Sequence, residues 1–181
     1  KKEIRKVSFT GSVPVGKMLA AKAASTLKRL TLELGGHSPA IVAEDANLEK
    51  TLDILSGFKF RNAGQVCIAP SRFFIHDKIY DQMLDGFVKR AKSIKLGNGL
   101  DETTTMGPMA NERRLDAMNG FVKDATNKGA NIVTGGRRYG NSGYFWEPTI
   151  IENVSKNSEM LNTEIFGPIM PLIKYHDYDE A

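Results

Sequence analysis

The 181-residue sequence predicts an α/β fold: a layered, mostly parallel sheet with helices on its faces, preceded by a single βαβ unit. Two observations carry this reading. Short runs rich in β-branched and aromatic residues alternate with longer runs whose apolar residues recur at helical spacing. Glycine-containing turns punctuate the runs, with no internal repeat or low-complexity tract between them.

In chain order, Ile4 to Phe9 reads as a strand. Thr10-Gly11-Ser12 then turns the chain, and Pro14 suits the first turn of a helix reaching about Leu27. Leu30 to Leu34 is a second strand, closed by Gly35-Gly36, so the three elements form a βαβ unit with an expected right-handed crossover. The turn from Gly11 through Ser12 to Gly16 lies between a strand and a helix N-terminus, which is the setting of a dinucleotide phosphate site. Two glycines are also what an ordinary turn needs, and no acidic residue follows at the spacing of a ribose partner.

Pro39 to Ala43 is strand-like. Asp45 or Asn47 is placed to cap a helix that carries Leu48, Leu52, Leu55 and Phe58 at helical spacing. Arg72 to His76 is a strand, followed by a helix from about Asp77 to Lys92 that turns Ile79, Met83, Leu84, Phe87 and Val88 inward. A glycine-bearing loop, Leu96 to Pro108, leads to a helix from about Asn111 to Lys128, stopped by Gly129. Ile132-Val133 is a short strand, Gly143 to Ile150 an aromatic strand and turn, and Ile169 to Tyr175 a closing strand.

The composition is 41% hydrophobic and 25% charged, as in ordinary globular proteins. Net charge is +4, with basic residues scattered in pairs such as Lys1-Lys2 and Arg113-Arg114. That pattern suits solvated surface and small anionic molecules, and it lacks the clustering a nucleic-acid partner requires. No apolar run is long enough to span a bilayer, so no membrane partner is expected. One cysteine excludes an intrachain disulfide and fits a reducing, cytoplasmic setting. The chain opens Lys1-Lys2-Glu3-Ile4, without an initiator Met or a signal-peptide pattern, and reads as an excised internal fragment.

The stretch Arg61-Asn62-Ala63-Gly64-Gln65-Val66-Cys67-Ile68-Ala69-Pro70 holds that one cysteine, in a turn after a helical run. By type alone, a free cysteine is most often a buried structural thiol. A nucleophilic thiol is the other reading, and it needs a base, a helix N-terminus or a cation, since a free thiol is only slightly ionised at neutral pH. Glu33, at a strand end beside two glycines, is a candidate base, although Glu is usually a surface carboxylate.

Six motifs, in one order, decide between these. They are Phe9-Thr10-Gly11-Ser12 with Gly16; Leu32-Glu33-Leu34-Gly35-Gly36; Gly64-Gln65-Val66-Cys67; Met106-Gly107-Pro108; Gly143-Tyr144-Phe145-Trp146-Glu147-Pro148-Thr149; and Glu164-Ile165-Phe166-Gly167-Pro168. Together they resemble the aldehyde dehydrogenase superfamily over the whole chain, in its succinate-semialdehyde-dehydrogenase-like branch. The resemblance implies residues 1–34 as the end of a Rossmann-like cofactor domain and 35–181 as most of a catalytic domain.

The same resemblance implies roles. Cys67 matches the nucleophile that adds to the aldehyde, and its N–H one donor to the oxyanion. Glu33 matches the base that activates water to hydrolyse the thioester, and its presence speaks against transfer to coenzyme A. Gly11, Ser12, Gly16 and Leu34 match the cofactor turn, Glu164 the partner of the nicotinamide ribose, and Phe166 the ring beside the nicotinamide. The cofactor is NAD or NADP, and no metal is implied.

Arg61 resembles the arginine that holds the carboxylate of a semialdehyde, and it is equally readable as an exposed arginine at a helix end. Ala69 stands where some relatives carry a second cysteine, so a redox-switch disulfide is absent. His37, His76 and His176 match no catalytic position. The family's chain is far longer and forms homodimers or homotetramers, and a fragment of it is expected to be inactive alone. A non-catalytic α/β binding or structural domain is the rival from another class.

Overall fold

The computed structural model describes residue 1 and residues 3–181; Lys2, of the basic pair noted above, lies outside the described residues. The chain divides into two compact units, Lys1–Gly36 and His37–Ala181.

The first unit is the expected βαβ. Strand β1 (Lys6–Gly11) pairs in parallel with β2 (Arg29–Leu34), and helix α1 (Val13–Ala24) connects them. The strand and helix limits sit one to three residues from those expected, as usual where ends fray. Gly16 is buried, and a Cβ there would press into the Leu34 side chain at 2.6 Å, so glycine is what lets α1 lie close on β2. Ile4, Val13, Val15, Met18, Leu27 and Leu30 are all exposed, which leaves this unit with little core of its own.

The second unit holds a five-stranded sheet in the order β3-β4-β7-β6-β5. Its strands are β3 (Pro39–Val42), β4 (Arg72–His76), β5 (Asn131–Thr134), β6 (Thr149–Glu152) and β7 (Ile169–Tyr175). All neighbours pair in parallel except β5, which runs antiparallel to β6 with an irregularity between Ile132 and Thr134. Strand β7 is central, and Ile169 to Leu172 are buried in an unbroken run, as a strand covered on both faces requires. Strand β4 alternates instead: Phe73 and Ile75 are fully buried, while Arg72, Phe74 and His76 are half-buried.

The helices of this unit are α2 (Leu48–Phe60), α3 (Tyr80–Ser93), α4 (Glu112–Asn127) and the short α5 (Glu159–Asn162). Asn47, rather than Asp45, caps α2 by accepting from the Lys50 N–H at 3.0 Å. Asn111 caps α4 in the same way through the Arg114 N–H, at 3.3 Å. Helix α3 packs on β4, β5 and β6, with Met83 and Phe87 fully buried and Phe87 edge-on to Phe73 at 6.2 Å. Each such large apolar side chain contributes about 2–3 kcal/mol by leaving water.

Three local expectations change. The helix after β4 starts as a 3-10 turn, Asp77–Ile79, before α3 proper, with the His76 ring accepting from the Lys78 N–H at 3.3 Å. On α2, Phe58 is 46% exposed while Lys59 is buried, because the helix packs through Leu52, Lys59 and Phe60. The aromatic stretch forms a turn anchored by Trp146, and only Thr149 and Ile150 of it enter β6. Trp146 is buried, and its Nε1 donates to Thr149 Oγ1 at 3.1 Å; that hydroxyl in turn donates to the Glu147 carbonyl at 2.7 Å.

Candidate active site

In the second unit the site is a turn. Helix α2 ends at Phe60, Arg61 leaves helical geometry (φ −53°, ψ 133°), and Asn62, Ala63 and Gly64 follow in left-handed backbone, at φ 51°, 52° and 69°. Left-handed backbone costs about 1–2 kcal/mol at each non-glycine residue, so neighbours must hold the turn.

Gln65 does much of this. Its Nε2 donates to the carbonyls of Asn62 at 3.1 Å and Pro108 at 3.4 Å, and its Oε1 accepts from the Ala110 N–H at 2.8 Å. Asn62 closes the turn by donating from Nδ2 to the Gln65 carbonyl at 3.1 Å. Gly64 lies against the Gly167 carbonyl so closely that any Cβ would overlap it. The Arg114 guanidinium, from α4, donates to the carbonyls of Ile165 and, at 3.2 Å, Phe166.

Three motifs far apart in sequence thus meet: the turn before Cys67, the Met106-Gly107-Pro108 loop and the Glu164–Pro168 loop. Cys67 emerges from this support exposed, which overturns the reading of a buried structural thiol. Its main-chain N–H has no acceptor among the described residues and remains available to an oxygen outside the chain.

Glu164 and Phe166 are half-buried in the braced loop, and Phe166 itself is left-handed at φ 44°. The Glu164 carboxylate acts on Arg114, opposing the burial that pulls the guanidinium below its ordinary pKa. Arg61 is exposed at the end of α2, with its guanidinium 5.9 Å from the centre of the Phe58 ring.

The remaining candidates sit in the first unit, at the C-terminal ends of two parallel strands, where α/β folds bind ligands. There Thr10 is paired with Glu33 and Gly11 with Leu34. Ser12 precedes α1 and its hydroxyl makes no capping bond, so the helix N-terminus keeps donors for an anion. Glu33 is exposed. The candidate residues therefore form two sets, each assembled within its own unit.

The three histidines have other work. His37 Nδ1 meets Ser71 Oγ at 3.1 Å, and its carbonyl accepts from Arg72 at 2.7 and 3.1 Å. His76 and His176 both approach Asp77, at 3.1 and 2.7 Å. The hydrogen bond from His176 holds the Asp77 carboxyl below its usual range and raises the imidazole in return. Among the described residues, no group of three or more His, Cys, Asp or Glu is placed to hold a metal ion, and no helix is long and apolar enough to cross a membrane.

Sequence reasoning missed Gln65 as a latch, Arg114 as a brace and Lys59 as a buried charge. Gln65 was visible only as a motif letter. Arg114 looked like half of a surface pair, and its partners lie 51 and 52 positions away. Nothing in the sequence marked Lys59 as buried, since lysine seldom is.

Solved structures place this architecture among the aldehyde dehydrogenases. The NAD+ complex of a Bacillus cereus aldehyde dehydrogenase superposes with a TM-score of 0.95 at 36% identity, over 99% of this chain and 37% of that one. The chain belongs to the aldehyde dehydrogenase family, whose model matches residues 1–181. It is 41% identical over 179 residues to the mitochondrial succinate-semialdehyde dehydrogenase of Oryza sativa subsp. japonica, covering 99% of this chain and 34% of that protein. It is 46% identical over 179 residues to succinate-semialdehyde dehydrogenase (NADP+) 1 of Schizosaccharomyces pombe, covering 98% and 36%. The chain thus spans about a third of the length of the curated relatives it matches.

Proposed function

We propose that this chain carries the thiol-bearing region of an NAD(P)-dependent aldehyde dehydrogenase that oxidises a carboxylate-bearing semialdehyde, such as succinate semialdehyde, to the free acid. The observation that supports it best is the exposed Cys67, with an unengaged N–H, on a turn held by Gln65 and Gly64. The substrate class is supported by the names of the two curated relatives.

The Cys67 sulfur adds to the aldehyde carbon, and the carbonyl oxygen gains negative charge. The Cys67 N–H stabilises that charge in the thiohemiacetal, an interaction that strengthens as the charge develops. A nicotinamide cofactor, when bound, would supply the acceptor for the hydride of the thiohemiacetal carbon. Cys67 then carries a thioester. Glu33 takes a proton from water as the water adds to the thioester carbon, and the acid leaves with return of the sulfur.

The residues present suit such a cofactor. Gly11, Ser12, Gly16 and Leu34 would hold its pyrophosphate side at the α1 N-terminus, Glu164 its nicotinamide ribose, and Phe166 its ring. Arg61 would hold the substrate carboxylate through a two-pronged hydrogen bond.

The test uses the full-length protein with succinate semialdehyde and either NAD or NADP. Free acid should form, butyraldehyde should be a far poorer substrate, and Cys67→Ala should abolish turnover while cofactor binding persists. Acyl-coenzyme A as the product would reassign the acceptor. No turnover of any aldehyde would favour a non-catalytic domain.

A further inference from the structure

The sequence contains two Asn-Gly pairs, Asn98-Gly99 and Asn119-Gly120, and the fold puts them in opposite settings. Both asparagines are exposed. Asn98 opens the turn of the loop between α3 and α4, where its carbonyl accepts from the Asp101 N–H at 3.0 Å. Its side-chain Oδ1 accepts from the Leu100 N–H, also at 3.0 Å. Asn119 and Gly120 lie within α4.

We propose that Asn98 is a site of spontaneous deamidation, yielding aspartyl and isoaspartyl forms of the loop, and that the helix protects Asn119. In the reaction the Gly99 nitrogen loses its proton and attacks Asn98 Cγ. A C–N bond forms, the Cγ–Nδ2 bond breaks, and ammonia leaves from a five-membered succinimide. Water then opens the ring at either carbonyl, so no oxidant or other reactant is consumed.

Three features of the Asn98 turn favour that step. The attacking nitrogen belongs to a glycine whose Cβ position faces open space, so no side chain crowds the approach. The Gly99 N–H donates to no acceptor among the described residues. As the nitrogen adds, negative charge grows on Oδ1, and the Leu100 N–H already points at that oxygen, as a donor to an oxyanion should.

Asn119 lacks these advantages. In α4 the Gly120 N–H belongs to the i→i−4 ladder, and the helical backbone cannot fold its nitrogen onto the preceding side chain without breaking that ladder. Reaction there requires local opening of the helix, which makes it slower than at Asn98 by at least about tenfold.

The full-length protein is aged at neutral and at mildly alkaline pH, digested with trypsin and read by mass spectrometry. Trypsin separates the two sites, leaving Asn98 in peptide 96–113 and Asn119 in 115–123. A gain of one mass unit should accumulate at Asn98, faster at the higher pH, with methyl transfer to the product by an isoaspartyl-directed carboxyl methyltransferase. In urea the two sites should converge. Gly99→Ala, which meets no obstacle in the fold, should slow the Asn98 reaction severalfold with an unchanged circular dichroism spectrum. Equal rates at both sites in the native protein would overturn the proposal, as would an intact Asn98 under conditions that convert it in urea.

Discussion

Arg114 reaches from α4 to the carbonyl of Phe166, 3.2 Å away, and so grips the one left-handed residue of the Glu164–Pro168 loop. A second bond goes to the carbonyl of Ile165, so the clamp straddles the peptide that must hold φ 44°. Arg114→Met removes both bonds, and the unit should lose about 1.5–3 kcal/mol, the range for hydrogen bonds from a charged donor. On the proposed placement of Glu164 and Phe166 against the cofactor, KM for NAD(P) should rise more than kcat falls, and Arg114→Lys should recover part of both. Denaturant midpoints and steady-state kinetics of the full-length protein decide it; an unchanged cofactor KM would refute the positioning role.

Gln65 is both donor and acceptor in the latch that holds the Cys67 turn, through the two ends of one amide. Gln65→Glu keeps the acceptor for the Ala110 N–H but sets a carboxylate against the Asn62 and Pro108 carbonyls. Loss of about 0.5–1.5 kcal/mol of stability is expected, the net worth of a hydrogen bond open to water. The alkylation rate of Cys67 should change with it, since the same bonds aim the turn. Wild-type alkylation kinetics in this variant would mean that Gly64 and Gly167 alone hold the thiol.

Gly64 has left-handed backbone and no room for a side chain. Gly64→Ala introduces a Cβ where the Gly167 carbonyl already lies, with no flexible atom able to yield. Thermal unfolding should reveal a loss of at least about 1–3 kcal/mol. A smaller loss would show that the two loops can separate.

Lys59 is the buried charge of α2, and burial alone lowers its pKa to about 7. Below that pH the amine is protonated in folded and unfolded chains alike, and the desolvation cost is felt in full. Between about 7 and the ordinary lysine value the unfolded chain holds a proton that the folded chain lacks, so stability rises with pH across that window. Lys59→Met should stabilise the unit by about 1–3 kcal/mol at neutral pH and flatten the rise. Urea midpoints at several pH values test this, and a destabilised variant with an unchanged slope would show that the amine has a partner.

The roles proposed for Cys67 and Glu33 are separable by kinetics. In the full-length enzyme Glu33→Gln should leave the first, thiol-dependent turnover largely intact while steady-state turnover falls by about 10²–10⁴, the range for a lost general base. An equal fall in both phases would assign Glu33 to an earlier step.

The sequence by itself determined the alternation of strands and helices. It did so because each element has its own period: β4 and β7 occupy the residues expected of them, and α4 begins after its Asn111 cap and ends just short of Gly129. It also marked Cys67, because one thiol inside an ordered set of motifs is a strong local signal. Tertiary structure alone decided what surrounds that thiol. The left-handed run at Asn62, Ala63 and Gly64, the Gln65 latch and the Arg114 clamp all depend on partners more than forty positions away or on strain that those partners offset. Local propensity carries no information about such contacts. It could not foresee that α2 buries Lys59 and exposes Phe58, since helical spacing names a face but only packing chooses which of two neighbours lies beneath it.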